Sequence, residues 1–214
     1  MSSSPKTYKL IYFNVRALAE NSRMLFKAAG VEFEDFRYPI EFTEGKPIRP
    51  EWDNDKSKYL FGKVPVLELD GGKSSISQSH AIERYLATEF KLIGDTHIEA
   101  AQIDSVGEQI NDLKQAYTKA KESNDVKKFF EEDLQRSFQA FNKLAETVGS
   151  NGFIVGKKLS LADIQLYNFC QSFDDQASVA KALESAKALK AAVDNVPQNP
   201  NLKKWIAERP KTQF

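Results

Sequence analysis

The sequence predicts two joined folding units, an α/β unit of order βαβ-ββα followed by an all-helical one. Three observations lead there. Short β-rich runs alternate with helical stretches from Tyr8 to Phe90, and a glycine-pair hairpin signal lies within that half. Beyond about Thr96 no strand signal survives, and apolar residues recur only at spacings of three and four. The change of pattern puts the boundary near Lys91 to Asp95, giving units 1–91 and 92–214.

Tyr8 to Phe13 is β-rich. Leu18, Ser22, Leu25 and Ala29 share one face of the helix that follows, which Gly30 closes. Phe33 to Tyr38 alternates as a second strand, Pro39 stops it, and an irregular polar segment carries Pro47, Pro50 and Trp52. Val66 to Asp70, Gly71-Gly72 and Lys73 to Ile76 read as a hairpin. Ser79 to Phe90 then forms a helix with Ile82, Tyr85 and Leu86 as its apolar stripe. A strand-helix-strand order needs a crossover connection, whereas strand-strand-helix permits an antiparallel hairpin.

In the second half Ile103, Val106, Ile110, Leu113, Tyr117 and Ala120 form one helical stripe, and Phe130, Leu134, Phe138, Phe141, Ala145 and Val148 another. Both read as core or helix contact. Ser160 and Asp163 make a capping box with Leu159 and Ile164 as its staple, so a helix starts near Leu161. One further helix is expected from about Val179 to Val196, and a short last one from Pro200 to Glu208.

Composition narrows the function classes. Thirty basic residues balance thirty acidic ones, so there is no broad basic field for nucleic acid or an anionic membrane. The start, MSSSPKTYKL, lacks the apolar core of a secretory signal, and no 18 apolar residues run together, so the expected compartment is the cytoplasm. The single cysteine, Cys170, allows neither an internal disulfide nor a Cys-x-x-Cys pair. His80 and His97 lack metal-ligand spacing, so no metal is expected. Thiol chemistry, if present, must act on a thiol that the protein binds.

Local motifs go further. The runs Tyr12-Phe13-Asn14-Val15-Arg16-Ala17-Leu18-Ala19-Glu20, Phe61-Gly62-Lys63-Val64-Pro65-Val66-Leu67 and Gln78-Ser79, with Trp205-Ile206 and Arg209-Pro210 near the end, occur in this order along nearly the whole chain. As an ordered set they resemble the glutathione transferases, and within them the sigma class. The resemblance implies a thioredoxin-like N-terminal domain with a mixed four-stranded sheet, an all-α C-terminal domain that shapes the second-substrate pocket, glutathione as co-substrate, a small hydrophobic electrophile as acceptor, and a homodimer.

The resemblance also implies roles. Tyr12 would donate a hydrogen bond to the glutathione sulfur. A free thiol has a pKa of about 8.5, so only roughly 3% is thiolate at pH 7. About 2.7 kcal/mol of preferential bonding to the ionised form lowers that pKa by about two units, a gain of about twenty-fold in thiolate. A tyrosine hydroxyl can donate such a bond while staying protonated, its own pKa being about 10. Read alone, Tyr12 is an amphipathic strand tyrosine with its hydroxyl at solvent. Gln78-Ser79, where a strand hands over to a helix, suits the γ-glutamyl carboxylate, although a plain N-cap has the same look. The resemblance places a cis-proline at Pro65 and lets the Val64 backbone pair with the cysteinyl portion. It puts Trp52, Lys56 and Lys63 at the glycine end, and sends Asp112 across the dimer interface to the partner's γ-glutamyl ammonium.

Departures matter too. Some sigma-class enzymes that isomerise prostaglandin H carry Arg-Gly-Arg where this chain has Arg16-Ala17-Leu18, and an aromatic where it has Gln165. Both changes weigh against a prostaglandin isomerase. Asn21 stands where a proline or aliphatic residue is common, with no consequence for glutathione. Cys170 reads as packed core. The alternatives are a glutathione-dependent isomerase or peroxidase, and a non-catalytic crystallin-like or ligand-carrying relative.

Overall fold

The computed structural model describes residues 6–212. Its centre is strand β1 (Tyr8–Phe13), buried at every position but the half-buried Lys9. Alternation along the strand divides its side chains between two layers. Tyr8 meets Phe26 edge to face, with ring centroids 5.3 Å apart, while Phe13 meets Trp52 on the opposite side at 5.6 Å.

A single 3₁₀ turn at Ala17–Ala19 leads into α1 (Glu20–Ala29). Gly30 ends it at φ 66°, the left-handed value that glycine adopts without steric cost. The helix is the crossover that brings β2 (Glu34–Tyr38) parallel to β1. Next come β3 (Glu41–Thr43) and β4 (Lys46–Ile48), a small antiparallel hairpin in the segment expected to be irregular. Glu44 and Gly45 both have positive φ, as a tight hairpin turn demands. Both strands are fully exposed, so no apolar alternation betrays them in the sequence.

Helix α2 (Pro50–Asp55) begins on a proline at its first turn and buries Trp52 against the sheet. Strands β5 (Val66–Leu69) and β6 (Ser74–Ser77) form the expected hairpin, and β5 pairs antiparallel with β1. The sheet order is β2-β1-β5-β6, a mixed four-stranded sheet. Helix α3 (Ser79–Glu89) completes the thioredoxin-like unit.

In the helical half, α4 (His97–Glu122) is capped by Thr96, whose Oγ1 accepts from the Glu99 N–H at 3.2 Å. A short α5 (Val126–Lys128) passes through a π-helical segment at Phe129–Leu134 into α6 (Gln135–Val148). Helix α7 (Leu161–Gln171) is the buried centre of this half and packs on α1, α3 and α4. Its capping box is present as expected: Asp163 Oδ2 accepts from the Ser160 N–H at 2.8 Å and from its hydroxyl at 2.7 Å, and Oδ1 accepts from the Ile154 N–H at 2.9 Å.

The single helix expected over Val179 to Val196 is two, α8 (Gln176–Glu184) and α9 (Lys187–Asn195). Asn142 of α6 causes the break. Its Oδ1 accepts from the N–H groups of Ala188 at 2.8 Å and Leu189 at 3.3 Å, giving α9 an N-terminus of its own. Helix α10 (Pro200–Glu208), capped by the Asn199 side chain, folds back onto α1. Among the described residues no helix is long and apolar enough to cross a membrane.

Asp163→Ala removes acceptors from two buried N–H groups and the Ser160 hydroxyl at once. It is expected to cost about 3–5 kcal/mol, read as a fall in the denaturant midpoint with the m-value unchanged. A loss under about 1 kcal/mol would mean that the box does not hold α7 in place.

Candidate functional site

Tyr12 sits near the C-terminal end of β1 and is 6% exposed. Burial raises its pKa above the ordinary phenol value, while the Leu18 backbone N–H and the Arg23 guanidinium act in the opposite sense. The hydroxyl is therefore protonated at neutral pH and available as a donor.

The turn that follows is shaped from inside. Arg23, wholly buried on α1, donates from Nη1 to the Val15 carbonyl at 2.7 Å and from Nη2 to the Phe13 carbonyl at 3.4 Å. Its Nε contacts Asp35 on β2 at 3.1 Å. Ala17 in that turn has φ 30°, a left-handed value that costs an L-residue with a Cβ about 1 kcal/mol. Leu18 consequently projects outward, 48% exposed.

Two cavities adjoin at Leu18. The smaller, of about 220 Å³, is lined by Leu18, Phe61, Lys63, Val64, Pro65, Ser77, Gln78 and Ser79. The Val64–Pro65 peptide is cis. Gln78 has φ 78°, a sterically strained value without a glycine, at the point where β6 gives way to α3. The free N–H groups of the α3 first turn lie at the same place. The larger cavity, of about 700 Å³, lies between the start of α1, α4 and α7, with Leu18, Asn21, Lys114, Tyr117, Gln165 and Asn168 among its walls.

The fold thus gathers five of the residues singled out in the sequence, Lys63, Val64, Pro65, Gln78 and Ser79, into one cavity. It does not bring Tyr12, Trp52, Lys56 or Asp112 there: Tyr12 lies behind Leu18 and is not among the residues lining either cavity. Trp52, 3% exposed, packs among Phe13, Tyr38 and Tyr59. Lys56 is exposed, 3.4 Å from Asp53. Asp112 is exposed on α4, with no ion pair among the described residues. Cys170 is buried and its thiol is pushed up to about 12 by burial, so it stays protonated packing.

Two polar clusters escaped the sequence reading. Glu20, 3% exposed, accepts from Trp205 Nε1 and from Arg209 Nη1, both at 2.9 Å, joining the start of α1 to the end of the chain. Glu83 of α3 is buried between the halves and accepts from Gln165 Nε2 at 2.7 Å and from Asn21 Nδ2 at 3.2 Å. Asn168 in turn donates to Asn21 Oδ1 at 2.7 Å. Burial raises the Glu83 pKa, and these amide donors oppose the rise. A trace was present in the sequence: Glu83 interrupts the apolar side of α3, between Ile82 and Leu86.

Comparison with known proteins agrees with this architecture. A family model for the glutathione S-transferase N-terminal domain matches residues 8–88, and one for the C-terminal domain matches residues 108–209. The chain belongs to the glutathione S-transferase family. It is 36% identical to glutathione S-transferase 3 of Caenorhabditis elegans, over 97% of this chain and 99% of that protein. It is 37% identical to hematopoietic prostaglandin D synthase of Gallus gallus, over 96% of this chain and 98% of that one. Among solved structures, the monomeric glutathione S-transferase Na-GST-3 of Necator americanus superposes with a TM-score of 0.81 at 31% identity, covering 97% of this chain and 100% of that one. In this transferase the smaller cavity thus lies in the N-terminal domain, and the larger one lies where the two domains meet.

Ala17→Gly relieves the left-handed turn beside the site. It is expected to leave stability unchanged or raise it by up to about 0.5 kcal/mol, the steric relief of about 1 kcal/mol being largely offset by the entropy of the added glycine, as measured by urea denaturation. A loss of similar size would mean that the Ala17 methyl contributes packing that outweighs its backbone conformation.

Proposed function

We propose that this chain is a sigma-class transferase in which the Tyr12 hydroxyl hydrogen-bonds the glutathione sulfur, holds it as thiolate, and so conjugates it to small hydrophobic electrophiles. The observation that carries this reading is the placement of a buried, protonated Tyr12 next to Leu18, which borders both cavities. Glutathione is the substrate of the family, and the smaller cavity has the chemistry to take it.

In this reading Gln78 and Ser79 receive the γ-glutamyl carboxylate at the α3 N-terminus. The Val64 backbone, turned by Pro65, pairs with the cysteinyl portion, and Lys63, Lys56 and Trp52 serve the glycine end. Asp112, exposed on α4, reaches the γ-glutamyl ammonium bound by a partner subunit, so the working form is a cytoplasmic homodimer. Residues 1–91 bind glutathione and residues 92–214 supply most of the acceptor pocket and the dimer contacts. No metal is needed, because the hydrogen bond alone supplies the shift in thiol ionisation.

Similarity to a prostaglandin D synthase keeps an isomerase in view. Leu18 and Gln165 favour conjugation instead, since they replace an arginine and an aromatic of the isomerase pocket.

Replacing Tyr12 with Phe keeps the ring and deletes the donor. At pH 7 the kcat/KM for glutathione and chlorodinitrobenzene is expected to fall about twenty-fold, and the gap to close as the pH passes about 8.5, where free glutathione ionises unaided. Equal turnover by the two proteins at neutral pH would remove Tyr12 from the mechanism.

A further inference from the structure

The larger cavity carries more positive charge than a purely apolar acceptor requires. Lys114, Tyr117, Thr118 and Lys121 recur at helical spacing along α4 and all border it, as does Arg16 from the turn after β1. Among the described residues, none of these three cations has a carboxylate at ion-pair distance.

Two acidic side chains also border the cavity. Glu20 is already engaged by Trp205, Arg209 and Arg23. Asp174 acts at the Tyr117 end, where the Lys121 ammonium lies 5.0 Å from the ring centroid. Lys114 feels only Glu83, whose carboxylate oxygens are occupied by the Gln165 and Asn21 amides. Lys114 and Lys121 are both exposed to solvent where they border the cavity, and an ammonium there without a carboxylate at ion-pair distance is open to an anion.

We propose that the acceptor of this chain is an electrophile carrying a carboxylate, received in the larger cavity by the ammonium groups of Lys114 and Lys121 on α4. This rests on the transferase reading above and names the acceptor class that it leaves open. Leu18 borders both cavities, so an acceptor held by its carboxylate on α4 keeps its reactive carbon within reach of the glutathione side. With an aryl chloride the sulfur forms a C–S bond to the ring carbon, the C–Cl bond breaks, and chloride leaves with the bonding pair. The carboxylate orients the ring and takes no part in bond making.

A chlorodinitrobenzoate and its methyl ester differ in that charge, in one methyl group and in how strongly the substituent activates the ring, the last of which the uncatalysed rates measure. The wild type is expected to show a kcat/KM at least about fivefold higher for the carboxylate, after correction for the two uncatalysed rates, and to lose this preference as salt is raised. In Lys114→Gln the carboxylate-to-ester ratio should fall toward one, and in Lys114→Arg it should persist. A ratio of one in the wild type, or one that Lys114→Gln leaves unchanged, would overturn the proposal. Calorimetric binding of the two glutathione conjugates reads the same pocket without turnover. Tighter binding of the carboxylate conjugate supports the proposal, and equal binding refutes it while leaving the transferase reading standing. Failure of both conjugates to bind would refute the two together.

Discussion

Arg23 is wholly buried, and its guanidinium reaches the carbonyls of Phe13 and Val15, the carboxylate of Asp35, and Glu20. A charge in that position is tolerable only with its partners in place, and removing one partner of such a group costs about 3–5 kcal/mol. The rest of the molecule is arranged around this constraint. The carbonyls fix the path of the turn after β1, the turn presents the Leu18 N–H toward the Tyr12 hydroxyl, and Asp35 binds α1 to β2. Through Glu20 the same cluster reaches Trp205 and Arg209, so that the C-terminal helix closes over the helix that starts the site.

The chemistry follows from where that turn lies. Leu18 borders a small cavity built on the sheet and a larger one built on helices, and in the proposed mechanism a thiol held in the first faces an acceptor held in the second. Burial keeps the Tyr12 hydroxyl protonated, and in a site shielded from water a donor aimed at a sulfur favours the thiolate more than it would in solution. The Glu83–Gln165–Asn21–Asn168 chain adds a second polar seam between the halves. With all its members bonded apart from Gln165 Oε1, the seam fixes how α7 meets α1 and α3 and thereby shapes the larger cavity.

What the sequence made legible was local. The β5–β6 hairpin, the α7 capping box and the Gly30 stop are each written in a few adjacent residues, and each appears where expected. Long-range effects were not legible. The α8–α9 break depends on Asn142, a side chain from another helix, and the β3–β4 hairpin has no buried face to impose a pattern. The same division runs through the site. Lys63 to Pro65 and Gln78-Ser79 belong to short motifs and converge on one cavity. Glu83 and Lys114 acquire meaning only from helices far apart in sequence, while Trp52 packs in the core and Lys56 and Asp112 stay exposed, away from both cavities.

Titration of the bound glutathione thiol bears on the central claim most directly. The ultraviolet difference absorbance of a thiolate, followed against pH in the binary complex, should show a midpoint about two units below the value of about 8.5 for a free thiol. A bound thiol that titrates at its free value would contradict activation by Tyr12, whatever the rate of conjugation.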